Sequence, residues 1–360
     1  MIDIIAGARP NFMKIAPLIK ELRKRKKFKY RLIHTGQHFD SNMSKAFFDD
    51  LKLPKPDIHF KITGKTHSEQ TGQIMNAYEK VLKKNSPSLV VVVGDVNSTL
   101  AASIVAKKMQ VKVAHVEAGL RSKDFTMPEE INRILTDSIS DFFFTTTKLA
   151  SENLINSGFK KKNIFHVGNL MIDSLKQSIK NFENPKLLKK YNLEEKDFLI
   201  LTIHRPNNVD NKKNFNNLLH KISKAAKGKK IIFPIHPRSK KNLSNLQVFS
   251  KNLKILNPLP YNEFIFLLSK SKGVLTDSGG ITEESSYLNI PCITLRDNTE
   301  RPETEALGTN FLIGSNPSQK NLKNSLDLMF SGNWKSKNKI PKWDGQTAER
   351  ICNVLDKLIL

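Results

Sequence analysis

At 360 residues the chain suits two α/β domains better than a single core, and with 39% hydrophobic residues, 21 of them Phe, it is excluded from the disordered class. The formal charge of +25 is carried by lysines spread over the polar faces of nearly every expected helix, as at Lys20 to Lys29, Lys160 to Lys162, Lys227 to Lys230 and Lys270 to Lys272, without interleaved aromatics. That favours a solvated basic surface that draws anions over a nucleic-acid-binding module, which would show one basic patch.

The N-terminus, MIDIIAGARP, enters a strand at once with no basic leader. No apolar run approaches ~18 residues, and Cys292 and Cys352 form no framework, so a cytoplasmic chain without a membrane partner is expected. Ile2 to Ala6 reads as a buried strand, and the turn GARPN leads into a helix from about Phe12 to Lys26, with Phe12, Ile15, Ile19 and Leu22 on its core side. Arg9 at the turn and Lys14 one turn into the helix can project over the sheet edge where open α/β folds bind ligands. Tyr30 to Thr35 is the next strand, ending at Gly36, Gln37 and His38. A polar connector, Lys61 to His67, precedes a helix over Gln70 to Leu82.

Ser88 to Gly94, SLVVVVG, is the continuous apolar strand of a parallel sheet and ends at Asp95, before a helix beginning near Asn97. Val111 to Val116 ends at Glu117, so two carboxylates leave the same edge of one sheet. In RSKDFTMPEEINR, Pro128 marks a helix start and Glu129, Asn132 and Arg133 fall in its first turns. Thr126 and Glu129 have the spacing of a capping box, which gives Glu129 a purely structural reading. Phe142 to Thr146 and Ile164 to Val167 complete a six- or seven-strand array, and residues 170–195 read as a helix and connector.

The second half repeats the pattern. Phe198 to Thr202 ends at His204, Arg205 and Pro206, and Lys230 to Pro234 ends at His236. Leu253 to Leu256 leads to a helix from about Tyr261 to Ser271. In GVLTDSGGITEE, Val274 and Leu275 end a buried strand, Asp277 to Gly280 form a tight turn, and a helix runs from Ile281. The glycines and the first helical N–H groups make an anion site, and Glu284, one turn on, can accept hydrogen bonds from sugar hydroxyls. A diphosphate joined to a ribose fits both halves. Cys292 to Leu295, Phe311 to Ile313 and a helix from about Gln346 to Leu360 finish the chain. Two successive βαβ arrays imply two doubly wound domains with a ligand cleft between them, at residues 1–169 and 170–345, with 346–360 as a final helix.

GARPNFMKIAPL, GDVNST, HVEAGLRS, PEEINR, HRP and TDSGGITEE with DNTERPE, in this order, resemble the non-hydrolysing UDP-N-acetylglucosamine 2-epimerases from end to end. The resemblance implies two Rossmann-like domains in a glycosyltransferase B fold, the last helix returning to the first domain, and a homodimer. It places Asp95, Glu117 and Glu129 on the family's catalytic acids and His204 on its essential histidine. Arg9, Lys14 and Arg301 match its phosphate and diphosphate contacts, Ser278, Gly279 and Gly280 its helix-N-terminal cradle, Glu284 its ribose-binding glutamate, and Phe264 a residue lining the uracil pocket. Gln37, Arg205 and His236 match its allosteric site, where Asp40 stands in place of an amide.

The expected reaction interconverts UDP-N-acetylglucosamine and UDP-N-acetylmannosamine for surface polysaccharide synthesis. UDP is eliminated across C1 and C2 and re-added to the glycal, which needs a base, a proton source and stabilisation of the departing diphosphate. Alternatives are an epimerase for another UDP-2-acetamido sugar, since the loop SKDFTM is short for the family, and a hydrolysing epimerase releasing free N-acetylmannosamine and UDP. The turn GARPN lacks GxGxxG and no cluster has metal-ligand spacing, so neither NAD nor a metal ion is expected.

Overall fold

Apolar runs too short for helices and bounded by Gly, Pro or Asp become strands when both faces are covered, and this chain uses them twice. The structure, a computed structural model, describes residues 1–37, 48, 51–181, 183–184, 186–243, 251–335 and 338–359; the side chains of Arg9, Asn181 and Ile359 also lie outside the description. The chain divides into two compact units, Met1–Ser174 with Pro341–Leu360, and Leu175–Ile340.

The first unit holds a seven-stranded sheet of β1 (Ile2–Ala6), β2 (Tyr30–His34), β3 (Ile58–His59), β4 (Leu89–Val93), β5 (Lys112–Val116), β6 (Phe142–Thr145) and β7 (Ile164–His166). Their order is β3-β2-β1-β4-β5-β6-β7, and every pairing is parallel. The second unit repeats it with β8 (Phe198–Thr202), β9 (Lys230–Pro234), β10 (Leu253–Leu256), β11 (Gly273–Thr276), β12 (Cys292–Thr294) and β13 (Asn310–Leu312), ordered β10-β9-β8-β11-β12-β13 and again parallel. Both orders are doubly wound, so each sheet has a switch point, between β1 and β4 and between β8 and β11, where strand order reverses and a crevice opens at the carboxyl ends. Two Rossmann-like units in one chain are the constituents of the glycosyltransferase B fold.

All five residues of β4 are buried, each contributing about 1.5–3 kcal/mol of transfer free energy relative to exposure. Asp3 in β1 is equally buried; Arg31 meets both its oxygens at 2.8 and 2.7 Å and the Tyr78 hydroxyl donates at 2.9 Å, so the charge is paired rather than stranded. Pro17 interrupts the helix Arg9–Arg25 and removes the N–H that Met13 O would accept; the Ser174 hydroxyl donates to that carbonyl instead. The final helix, Thr347–Ile359, buries Ile351, Cys352 and Leu355 and packs on Arg9–Arg25. Asp173 accepts from the N–H groups of Thr347 and Ala348 at 3.2 and 2.8 Å, which fixes where that helix starts. Among the described residues no helix is long and apolar enough to cross a membrane.

Three local expectations are corrected. The first helix begins at Arg9 rather than Phe12, because the Asn11 side chain accepts from the Ala8 N–H at 3.2 Å and Pro10 suits the first turn. Gly279 and Gly280 are the first helical residues, not the end of a turn, since the helix spans Gly279–Leu288 with Ser278 as its N-cap. The capping box at Thr126 and Glu129 does not form. Met127 is the N-cap of Pro128–Ile139, and Thr126 turns back to Asp124 Oδ1, its N–H at 3.0 Å and its hydroxyl at 2.6 Å, because that acceptor is nearer than the helix.

Candidate active site

In the first unit the carboxyl ends of β1, β4 and β5 bring one constellation together. Asn11 donates to Val93 O at 2.7 Å, tying the helix Arg9–Arg25 to the end of β4. Lys14 on that helix meets Glu117 Oε2 at 2.5 Å, and both side chains are buried. Gly94 makes the room. Its φ is +72°, and a Cβ there would lie 3.3–3.4 Å from Asn11 Nδ2, Glu117 Oε2 and Lys14 Nζ, so any side chain would crowd the pair. Glu117 itself has φ +69°, a left-handed conformation that costs a non-glycine residue about 1 kcal/mol. Such strain persists where surrounding bonds fix the backbone: the N–H groups of Glu117 and Ala118 both donate to Phe144 O, at 3.0 and 3.2 Å.

Asp95 follows the same glycine. Arg133 donates to its Oδ2 through Nε at 3.0 Å and Nη2 at 2.6 Å, and with Nη1 reaches Glu130 Oε2 at 2.6 Å. Asn132 donates to Asp95 O at 2.9 Å. Each sheet-edge carboxylate therefore lies against its own cation, Glu117 against Lys14 and Asp95 against Arg133, rather than against the other carboxylate alone. Glu130 also accepts from the N–H groups of Ser122 and Lys123, both at 2.9 Å, and so shapes the short loop before the helix. Its neighbour Glu129 is half-buried and lies one turn before Arg133, on the helix face that Arg133 turns toward Asp95.

His115 and Asp137 brace this edge from below. The ring of His115 sits between Asp137 Oδ1 at 2.7 Å and Gly94 O at 2.8 Å, and Asp137 Oδ2 accepts from Gly119 N–H at 3.1 Å and Arg121 at 2.7 Å. Gln37, after β2, accepts from the N–H and hydroxyl of Ser98 at 2.9 and 2.7 Å. Arg9 starts the first helix, but its side chain lies outside the described residues, as do His38 and Asp40.

The second unit gathers its residues at the switch between β8 and β11. Asp277 is fully buried and accepts from the backbone of His204 at 3.1 and 3.0 Å, from Arg205 N–H at 2.9 Å and from Asn208 at 3.0 Å. Burial opposes its ionisation, but the contact with His204 and these donors hold it below the usual carboxylate range. His204 Nδ1 is 3.1 Å from Asp277 Oδ1 while 39% of its side chain remains exposed, so its partner is a carboxylate that orients the ring, not a backbone carbonyl. The His236 ring lies 5.5 Å from that of His204, and His236 Nδ1 accepts from Arg238 N–H at 3.2 Å. Arg205 donates to Asp277 O at 3.1 Å and faces Glu300 at 3.6 Å.

Ser278, Gly279 and Gly280 are half-exposed at the start of their helix. A Cβ on Gly279 would come 2.8 Å from Glu300 Oε1, whereas one on Gly280 would meet only Ser278 Oγ at 4.0 Å, so the backbone is open there. Glu300 bonds Arg296 at 2.7 Å and Arg301 pairs with Glu283. Glu284 is buried and accepts from the Tyr261 hydroxyl at 2.8 Å, and burial together with that carboxylate raises the phenol well above its ordinary range. Phe264 lies half-buried one turn along the helix from Tyr261. Asp277, Tyr261 and Arg133 were placed in their turn and helices from the sequence but given no site role, and Glu130 was given none either. Among the described residues no group of three or more His, Cys, Asp or Glu is placed to hold a metal ion.

The family model described as UDP-N-acetylglucosamine 2-epimerase matches residues 20–356. The chain belongs to the UDP-N-acetylglucosamine 2-epimerase family. A UDP-N-acetylglucosamine 2-epimerase of Methanocaldococcus jannaschii is 43% identical, with 98% of each chain covered. The crystal structure of the Methanocaldococcus jannaschii epimerase in complex with UDP-GlcNAc and UDP superposes with a TM-score of 0.89 at 43% identity, covering 99% of both chains. A UDP-2,3-diacetamido-2,3-dideoxy-D-glucuronate 2-epimerase of Pseudomonas aeruginosa is 37% identical over 98% of this chain and 99% of its own. As a member of the epimerase family the chain is an isomerase acting on carbohydrates.

Proposed function

We propose that the protein interconverts UDP-N-acetylglucosamine and UDP-N-acetylmannosamine without hydrolysis, by eliminating UDP across C1 and C2 and adding it back to the other face of the glycal. The observation that carries the reading is the gathering of Asp95 and Glu117 with Lys14 and Arg133 at one sheet edge, with Glu129 one turn before Arg133 on its helix, in a chain matching the family over residues 20–356. Abstracting a proton from C2 and returning one requires groups that accept and donate protons, and three carboxylic side chains supply them. Lys14 and Arg133 hold two of these side chains in fixed positions, so little reorganisation is needed during the reaction.

In this reading the open backbone at Ser278, Gly279 and Gly280, with Arg301, binds the diphosphate; His204, set by Asp277, faces it; Arg9 adds a further phosphate contact; and Glu284 holds the ribose beside Phe264. Arg205 and His236 belong to a second, regulatory site for substrate. The protein works in the cytoplasm as a homodimer, needs no NAD or metal ion, and feeds surface polysaccharide synthesis. Its high positive charge draws the anionic nucleotide sugar inward.

Incubation with UDP-N-acetylglucosamine in heavy water is expected to give a mixture of the two UDP-sugars with deuterium at C2, read by NMR. Stoichiometric free UDP and free N-acetylmannosamine would replace this reading with the hydrolysing one. A second reading, an epimerase for another UDP-2-acetamido sugar, is favoured by the 37% identity to the Pseudomonas aeruginosa enzyme, and the same assay with the diacetamido uronate sugar decides between them.

Tyr261→Phe should raise KM by roughly fivefold while leaving turnover nearly unchanged, because Glu284 keeps its charge and loses one charge-assisted hydrogen bond that orients it. Glu284→Gln should raise KM further, since it weakens charge-assisted bonds to the ribose. Steady-state kinetics of both variants checks the order; equal KM values for all three proteins would remove Glu284 from the ribose.

A further inference from the structure

The segment after β12 carries one carboxyl that the reading above leaves unused. Glu303 lies in the short helix Pro302–Ala306, is buried, and its Oε1 has no hydrogen-bond partner among the described residues. Its surroundings are charged on three sides. Arg301 precedes it, Glu300 lies in the connecting segment against Arg296 and Arg205, and Glu283 reaches over from the helix Gly279–Leu288, where it pairs with Arg301. Strand β13, packed on the other side, contributes Asn310, Phe311 and Leu312 and therefore no titratable group. Lys335 bonds Glu305 O. The pocket thus counts three guanidinium groups, Arg205, Arg296 and Arg301, against three carboxyls.

We propose that Glu303 is the proton reservoir of the diphosphate pocket: it takes up a proton when a nucleoside diphosphate binds beside Arg301 and gives it back when the nucleotide leaves. The proposal rests on the assignment of Arg301 to the diphosphate. Its physical basis is charge balance. A diphosphate brings at least two negative charges to Arg301, and like charge nearby favours the neutral form of a buried carboxyl whose Oε1 has no hydrogen-bond partner among the described residues and whose ionised form is helped only by Arg301 and its own backbone N–H. Burial chiefly, opposed by Arg301, already lifts Glu303 to about 7, so the proton is exchangeable near neutrality. Glu300, paired to arginines, is not poised in the same way: despite its burial it is held far below the carboxylate range by Arg296, Arg301 and Arg205. Glu303 is a charge-compensating residue beside the phosphate ligand, and it carries no step at the sugar.

The linkage has a definite sign. Binding raises the proton affinity of Glu303, so nucleotide affinity is highest below pH 7 and falls as pH rises through that value, by about tenfold per pH unit until the bound form also ionises. Glu303→Gln mimics the neutral carboxyl and removes the requirement for a proton. At pH 8, where the second phosphate ionisation of free UDP (pKa about 6) is essentially complete, the wild type should bind UDP with uptake of on the order of one proton. This is measured by titration calorimetry in buffers of different ionisation enthalpy.

Glu303→Gln should take up markedly less and bind about tenfold tighter than the wild type at pH 8, with the two equal near pH 6. A UDP-minus-free infrared difference spectrum of the wild type should show a protonated-carboxyl band appearing, a readout that does not depend on the variant folding. Binding of UDP with no proton uptake, or with uptake equal in Glu303→Gln, overturns the proposal while leaving the diphosphate assignment intact. Failure of the full-length wild type to bind UDP overturns both.

Discussion

Glu117→Gln is expected to lower turnover by ~100-fold or more while leaving the affinity for UDP nearly unchanged, as measured by steady-state kinetics and calorimetry. The substitution is unusually clean in this structure. Gln keeps an oxygen that can accept from Lys14, so the buried lysine is not left wholly without a partner, whereas Glu117→Ala would strand a buried cation at a cost of about 3–5 kcal/mol. Gln and Glu are also equally ill-suited to φ +69°, so the backbone strain at this position is unchanged and the difference isolates the ionisable carboxyl. Turnover within about threefold of wild type would show that the buried pair with Lys14 only braces the edge of the sheet, and the proton transfers would pass to Asp95 and Glu129.

The strands and their end residues were legible because a parallel sheet needs apolar runs on both faces and because open α/β folds carry their ligands at the carboxyl ends. Leu89 to Val93 reads only one way, and with it the position of Asp95. Strand β3, Ile58–His59, was not legible: two residues have no periodicity, and they are ordered by pairing with Ile33 and His34. The partners of the site residues were hidden for a different reason. Arg133 can pair with a carboxylate three or four residues before it, and the sequence offers Glu130 and Glu129 at those spacings. Only the fold shows that Glu130 is the one drawn in by the N–H groups of Ser122 and Lys123.

Asp277 was read as part of a glycine turn, yet it organises His204, Arg205 and Asn208, contacts of 69 to 73 residues' separation that no local pattern reveals. Tyr261 and Glu284 are likewise 23 residues apart and meet only through the packing of their helices. What the sequence could expose was the chemistry at strand ends; what it could not was the second layer of charges that holds that chemistry in place.

The same second layer sharpens the case of Glu129. With the capping box absent, Thr126 bonded to Asp124 and Met127 at the N-cap, Glu129 makes no capping-box bond and keeps at the helix start only its first-turn interaction with the helix dipole. Glu129→Gln is therefore expected to fold with a melting temperature within a few degrees of wild type, since it gives up only a first-turn charge worth about 0.3–1 kcal/mol against the helix dipole. Its turnover should nevertheless drop by ~100-fold or more, the loss of one general acid or base. Thr126→Ala is the control: it removes a hydroxyl that serves only the turn at Asp124, so it should cost at most about 1 kcal/mol and leave activity intact. Glu130→Gln completes the set by separating the two adjacent glutamates. Glu130 accepts two backbone N–H bonds and an arginine, so losing its charge should lower stability by about 2 kcal/mol and disturb the loop, with activity falling as a consequence of misplacement. A stable, fully active Glu129→Gln protein would remove that residue from the site and leave Asp95 and Glu117 as its only proton-transferring carboxylates.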